Sequence, residues 1–106
     1  ESGSSICSEA ATVTSNVAAS ATQTTITHSA FSVGLVVGEF VTVSGHTGDA
    51  ANLAMNQVYE VKTITDSTTT ILTGTGMTIG TYNTGTIYIH KSTARKVYNI
   101  STLLLF

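Results

Sequence analysis

Residues 33–74 decide the fold, because apolar alternating segments are separated there by polar ones. The stretch reads VGLVVGEFVTVSG (33–45), HTGDAANLAMNQ (46–57), VYEVKTIT (58–65), DSTT (66–69) and TILTG (70–74). In the first segment Val41 and Val43 fall on one face of a strand, and their neighbours fall on the other. The pattern predicts three strands joined by a long polar loop and a tight turn, which is typical of a very small antiparallel β-barrel.

Glycines and a phase shift predict that this sheet is curved. Gly38 and Gly45 flank the FVTVS strand, where a missing Cβ permits a bend or bulge at a barrel corner. In the next strand Tyr59 and Val61 share one face, whereas Ile64 is one step out of phase. A β-bulge or a strong twist between them would produce that shift. Asp66 is expected to accept a backbone hydrogen bond within the following turn.

The flanking sequence extends the strand pattern in both directions. Residues 23–28 place Ile26 between threonines, residues 86–91 alternate with Ile87 and Ile89 inward, and residues 97–101 can form a last strand. Residues 80–85 (GTYNTG) are predicted to be a turn region. We therefore predict an all-β fold, a small antiparallel barrel or sandwich of about five to seven strands.

The predicted domain carries an extended arm at each end. Residues 1–22 are small, polar and of low complexity, which favours an N-terminal arm or an edge strand. The barrel domain is expected over residues 23–101. Residues 102–106 form an apolar C-terminal arm, whose four large side chains are expected to be buried in the domain's own core or in a neighbour.

Composition restricts the classes of partner. Charged residues make up 9% of the chain, the net charge is −2, and about a third of the residues are Ser or Thr. Four basic residues are too few for a nucleic-acid partner, and Lys91, Arg95 and Lys96 together indicate a solvated turn or an interface patch.

Cys7 is the single cysteine, so no intrachain disulfide is possible. We find no apolar run of about 18 residues or more, hence no predicted membrane span.

Few residues of this sequence are suited to catalysis or metal binding. The histidines at 28, 46 and 90 lie in separate segments without the spacing of a metal site. His46, Asp49 and one of many serines could be drawn as a triad, but no GxSxG motif supports it. We predict no enzymatic activity, no metal and no cofactor.

Low charge on so small a domain indicates that other protein covers much of its surface. Tyrosines near the predicted turns and the apolar arm are the most suitable contact residues. The predicted interface residues are Tyr82, Tyr88, Tyr98, Leu103, Leu104, Leu105 and Phe106.

Residues 26–78 resemble small β-barrel segments of tailed-bacteriophage virion proteins. The shared features are a Phe, a Gly-apolar-apolar strand start, the strand VTVSG, a loop containing Asn, a Tyr-x-Val strand and a T-x-L return strand. The loop at 46–57 is longer than that pattern, and LLLF (103–106) lies outside it. The resemblance implies a structural role in the phage particle, without catalytic residues.

These observations lead to one expected function and two alternatives. We expect a homo-oligomeric capsid decoration (cement) protein, located in the virion, that stabilises a phage head by binding the major capsid protein or other virion proteins. The first alternative is a tail or fibre subunit. The second, from another class, is a glycan-binding module that uses Tyr82 or Tyr88 as a stacking platform.

Overall fold

The computed structural model describes residues 8–92, and about half of these residues belong to strands. A single-turn helix, α1 (Ala50–Leu53), lies between the third and fourth strands. The strands are β1 (Ser8–Ala18), β2 (Gln23–His28), β3 (Phe40–Ser44), β4 (Val58–Asp66), β5 (Thr69–Thr73), β6 (Gly80–Tyr82) and β7 (Ile87–Ser92). The prediction of an all-β fold with five to seven strands is confirmed.

Six of the strands close into an antiparallel barrel in the order β2-β5-β4-β3-β7-β1, with β1 returning to pair with β2. The seventh, β6, pairs with residues 16–18 of β1, beyond the part of β1 that pairs with β7. Closure satisfies the backbone hydrogen-bonding groups that an open sheet would expose at its edges. It also places β5 on the opposite side of the barrel from β7.

Alternating side chains fill the interior, as the period-two pattern predicts. Ile26, Tyr59 and Leu72 are fully buried, and Ile87 and Ile89 of β7 point inward beside them. Each fully buried large apolar side chain contributes about 1.5–3 kcal/mol to folding. The barrel is therefore held mainly by one small apolar core.

The predicted irregularity in β4 is present. The pairing of β4 with β5 shifts register between Val61 and Thr63 and again between Ile64 and Asp66. In the turn that follows, the backbone N–H of Thr68 donates to Asp66 Oδ1 at 2.9 Å, as the sequence predicts. These shifts bend β4, which allows the sheet to close around a narrow core.

The predicted bends at Gly38 and Gly45 are also present, since both residues have positive φ, of 94° and 100°. At Gly45 the neighbouring chain adds a second constraint. A Cβ on this residue would overlap the carbonyl oxygen of Thr86. Only glycine therefore fits the corner where β3 ends against the segment leading into β7.

Part of the segment 1–22, expected as an N-terminal arm or edge strand, forms β1, which is paired on both sides within the barrel. Ala11 is paired with Ile89 of β7, and Val17 is paired with Thr25 of β2. Small residues did not indicate a core strand in the sequence. In a narrow barrel they fit, and Ala11, Val13 and Ala18 are all buried.

Two other segments differ from the prediction. The polar loop contains α1, which Asp49 caps by accepting from the backbone N–H of Asn52 at 3.0 Å. The expected turn region at 80–85 begins with β6. The predicted last strand at 97–101 and the apolar arm at 102–106 lie outside the described residues.

Candidate interaction surface

Two of the seven predicted interface residues lie in the described part of the chain, and they occupy opposite environments. Tyr88 on β7 is 41% exposed. Tyr82 on β6 is buried, and its hydroxyl donates to the carbonyl oxygen of Thr78 at 2.7 Å. Tyr88 is thus available to a partner in this conformation, whereas Tyr82 packs within the chain. Tyr98 and residues 103–106 lie outside the described residues.

Tyr88 belongs to an uncharged strip on the outside of the barrel. Strand register places Tyr88 between Ser44 and Thr12, and it places His90 between Thr42 and Ala10. Val58, 55% exposed, extends the second row from β4. We call this strip the outer wall, and its members are Ala10, Thr12, Thr42, Ser44, Val58, Tyr88 and His90.

Contacts among its side chains give the outer wall a defined shape. The rings of Tyr88 and His90 lie 6.2 Å apart and are tilted by 51°. His90 Nε2 is 3.3 Å from the hydroxyl of Ser44, within hydrogen-bonding distance. The wall presents hydroxyl, methyl, imidazole and phenol groups and no carboxylate or ammonium group. Such a surface can be covered by another protein with little desolvation of charge.

A second exposed apolar region lies at one end of the barrel, in residues 31–39, which we call the apolar loop. It directly precedes β3, which starts at Phe40. Phe31 and Leu35 pack against the core, whereas Val33, Val36 and Val37 are 64%, 48% and 59% exposed.

Charged side chains hold the backbone of the apolar loop in place. Lys91 Nζ donates to the carbonyl oxygens of Val33 at 2.6 Å and Gly34 at 3.1 Å. From the neighbouring strand, where Glu9 is paired with Lys91, the Glu9 carboxylate accepts from the N–H of Ser32 at 2.8 Å and from its hydroxyl at 2.7 Å. These bonds, with a smaller effect from nearby Lys91, lower the pKa of Glu9.

Further bonds fix the turn at 36–39. The buried Glu39 carboxylate accepts from the N–H of Val36, and the Glu39 N–H donates to the Val36 carbonyl oxygen at 3.1 Å. The N–H of Gly38 donates to the carbonyl oxygen of Val61 on β4 at 2.8 Å. The loop therefore presents its valines from a well-bonded backbone.

The environment of Lys91 corrects one sequence interpretation. It is 4% exposed, and its ammonium group lies 5.6 Å from the centre of the Phe31 ring. Lys91 is therefore a buried anchor of the apolar loop and not part of a solvated turn. Arg95 and Lys96 lie outside the described residues.

A buried polar network crosses the barrel interior away from both surfaces. The hydroxyl of Thr24 donates to Asn16 Oδ1, and Asn16 Nδ2 is 3.1 Å from His46 Nε2. The hydroxyl of Tyr59 donates to the carbonyl oxygen of Met55 at 2.7 Å, and burial raises its pKa. Hydrogen bonding compensates most of the cost of burying these groups.

His46 is the least satisfied member of this network. It is 2% exposed, and its Nδ1 has no hydrogen-bond partner among the described residues. Burial lowers its pKa, so the imidazole is neutral at physiological pH. The Tyr82 ring packs edge-on against it, with centroids 6.4 Å apart. The geometry indicates a structural role within the core.

Among residues 8–92, the hypothetical Ser/His/Asp set does not form a hydrogen-bonded triad. The side-chain partner of His46 is Asn16, and the carboxylate of Asp49 accepts from the N–H and the side-chain amide of Asn52. Those bonds lower the pKa of Asp49. Within residues 8–92, no group of three or more His, Cys, Asp or Glu is arranged to hold a metal ion.

Sequence reasoning missed the bonds that anchor the apolar loop and the inward orientation of Asn16. Glu9 and Lys91 are far apart in sequence, and no local pattern links them to the apolar loop. The burial of Asn16 does not follow from simple alternation along β1. The pairing of β1 with β2 shifts register between Val13 and Ser15, and this shift changes which residues face inward. The outward positions of Tyr88 and His90, in contrast, were predicted from the alternation in β7.

The chain matches no protein-family model, and no curated protein is significantly similar to it in sequence. Among the described residues, no helix has the length and apolarity that crossing a bilayer requires.

Proposed function

We propose that this chain is a structural protein of a tailed-phage virion, specifically a capsid decoration protein. It would bind the major capsid protein or another virion protein through the outer wall and would act as a homo-oligomer. Its role is adhesive and not catalytic. The observation that supports this proposal most directly is the outer wall itself, two adjoining cross-strand rows without a charged side chain.

Physical chemistry explains why such a wall suits particle assembly. Covering uncharged hydroxyl and methyl groups requires little desolvation of charge, while Tyr88 and Val58 supply exposed apolar area. A closed barrel gives this surface a rigid support, so little conformational entropy is lost on binding. The resemblance of residues 26–78 to barrel segments of phage virion proteins supports a role of this surface in the phage particle.

Two matched threonine substitutions test the proposal. Thr42→Asp introduces a carboxylate in the middle of the outer wall, and Thr73→Asp introduces the same group outside the wall, on β5, which β4 separates from β3. We expect Thr42→Asp to weaken binding to capsids of the source phage at least about tenfold, because the carboxylate would be desolvated without a partner. Thr73→Asp should bind like the unmodified protein.

The outcomes separate the hypotheses. Equal binding by both variants would contradict the role of the outer wall. Binding to tails or tubes but not to heads, with the same dependence on Thr42, would support a tail or fibre subunit in place of a decoration protein.

Glycan binding remains the second candidate, because Tyr88 is exposed beside His90. An aromatic ring next to hydrogen-bonding groups is a suitable platform for a sugar. Retention on an immobilised-glycan column that disappears in Tyr88→Ala but persists in Thr73→Asp would favour this function. Tyr82, the other predicted platform, is buried in this structure.

A further inference from the structure

We propose that the apolar loop is the docking site for residues 103–106 of the same chain, whose sequence is Leu-Leu-Leu-Phe. The loop exposes Val33, Val36 and Val37 at one end of the barrel. This contact would cover the loop in the isolated protein. It is independent of the virion role and uses a surface distinct from the outer wall.

The first argument is that the apolar loop is already shaped as a binding surface. Lys91, Glu9 and Glu39 all bond its backbone, yet none of these bonds buries the three valines. A backbone held by this many polar contacts loses little freedom when a ligand binds. Adjacent exposed valines on such a support are typical of a contact site and not of a solvated loop.

The second argument is where the described chain ends. Lys91, which bonds the apolar loop, directly precedes Ser92, the last described residue. Ser92 is paired with Ser8 at the end of the barrel where the loop lies, whereas β6 pairs with the far end of β1. Residues 93–106 therefore start beside the loop.

The third argument is length. Ten residues, 93–102, separate Ser92 from Leu103, and a chain of this length spans up to about 36 Å when extended. That is enough to turn back onto a surface that lies beside its starting point. A linker of this length holds the segment at an effective concentration in the millimolar range. The same chain is therefore favoured over a second copy.

The fourth argument is chemistry. Leu103, Leu104, Leu105 and Phe106 are uncharged and large, which matches an exposed valine surface. Residues 1–7 also lead into the barrel at this end, but their one large aliphatic side chain is Ile6. The 103–106 segment offers by far the larger apolar area.

Disulfide trapping in the full chain tests the contact. In a Cys7→Ser background, Val36→Cys is combined with Leu104→Cys. The matched control combines Leu104→Cys with Ile79→Cys, because Ile79 is 71% exposed and precedes β6 at the far end of the barrel. Oxidised glutathione supplies the oxidant, and non-reducing mass spectrometry separates intramolecular from intermolecular disulfides.

We expect the Val36/Leu104 pair to form an intramolecular disulfide at least about tenfold faster than the Ile79/Leu104 pair. Equal rates for the two pairs would overturn the proposal. Disulfide-linked dimers as the main product would also overturn it and would assign the segment to a second copy.

A second measurement avoids cysteines. In Val36→Asp/Val37→Asp, amide hydrogen exchange at residues 103–106 should rise at least about tenfold while exchange in β4 and β5 stays unchanged. Unchanged exchange at 103–106 in this variant would contradict docking. Because neither readout involves capsids, failure here leaves the outer-wall proposal intact, and failure of capsid binding leaves this one intact.

Discussion

At the scale of single residues, Gly45 shows most directly how the fold constrains the sequence. Its φ of 100° lies in the region that favours glycine, and the carbonyl of Thr86 occupies the space a Cβ would need. Gly34 is a matched contrast, because a Cβ there meets no atom within 4 Å and its φ is not in the positive region.

Gly45→Ala should therefore lower the free energy of unfolding by about 2–4 kcal/mol, because backbone strain and a steric overlap add together. Gly34→Ala should change it by less than about 0.5 kcal/mol. Urea unfolding followed by circular dichroism measures both. Similar values for the two variants would contradict the described approach of Gly45 to Thr86.

His46 predicts a dependence of stability on pH. Burial lowers its pKa in the folded state, whereas the unfolded chain takes up a proton near pH 6.5. As the pH falls through that value, the unfolded state binds the proton first, and stability is lost at up to about 1.4 kcal/mol per pH unit. Above about pH 7.5 this contribution is constant.

The carboxylates of Glu9 and Asp66 change the stability only at lower pH, because their pKa values are lowered from 4.5 and 3.8. The loss of stability between about pH 6.5 and pH 5 should therefore disappear in His46→Gln and persist in His90→Gln. Unfolding midpoints across this range measure the effect. A slope that survives in His46→Gln would show that another group causes it.

At the scale of elements, β1 is the strand that most depends on tertiary context. It pairs with β2, β6 and β7, and it completes the barrel although its side chains are small. The burial of two consecutive alanines shows which face of β1 points into the barrel. Ala11 is buried opposite Ile89, and Ala10 is exposed opposite His90.

Ala11→Glu should reduce the free energy of unfolding by at least about 3 kcal/mol, because it buries a carboxylate without a partner. Ala10→Glu should change it by less than about 1 kcal/mol, since that side chain stays in water. Thermal unfolding compares the two. If residues 8–18 were a loose arm, both variants would unfold like the original protein.

At the scale of the whole molecule, the charged groups bind mainly neutral partners. Lys91 binds two carbonyl oxygens, Lys62 donates to Gln23 Oε1 at 2.8 Å, and Glu9 accepts from Ser32. Asp66 accepts from Thr68 in the same manner. Long-range attraction between opposite charges therefore contributes little to this fold.

We expect the thermal unfolding midpoint to move by less than about 3 °C between about 0.05 M and about 0.5 M NaCl, because salt mainly screens exposed charges. Differential scanning calorimetry at neutral pH measures the midpoint. A decrease of 10 °C or so would indicate that charge pairs stabilise the barrel.

The sequence by itself determined the local features: the strands around Val41, Tyr59 and Ile89, the bulge after Val61 and the bends at Gly38 and Gly45. These depend on side-chain alternation and on the backbone freedom of glycine, which act over a few residues. Outward placement of Tyr88 followed for the same reason.

Only the tertiary structure decided what depends on residues distant in the chain. Barrel closure turned the small residues of β1 into a core strand, and it brought Glu9 and Lys91 together beside the apolar loop. It also buried Tyr82 against His46. A side chain's burial depends on which strands become its neighbours, and that pairing is a property of the closed sheet and not of any single segment.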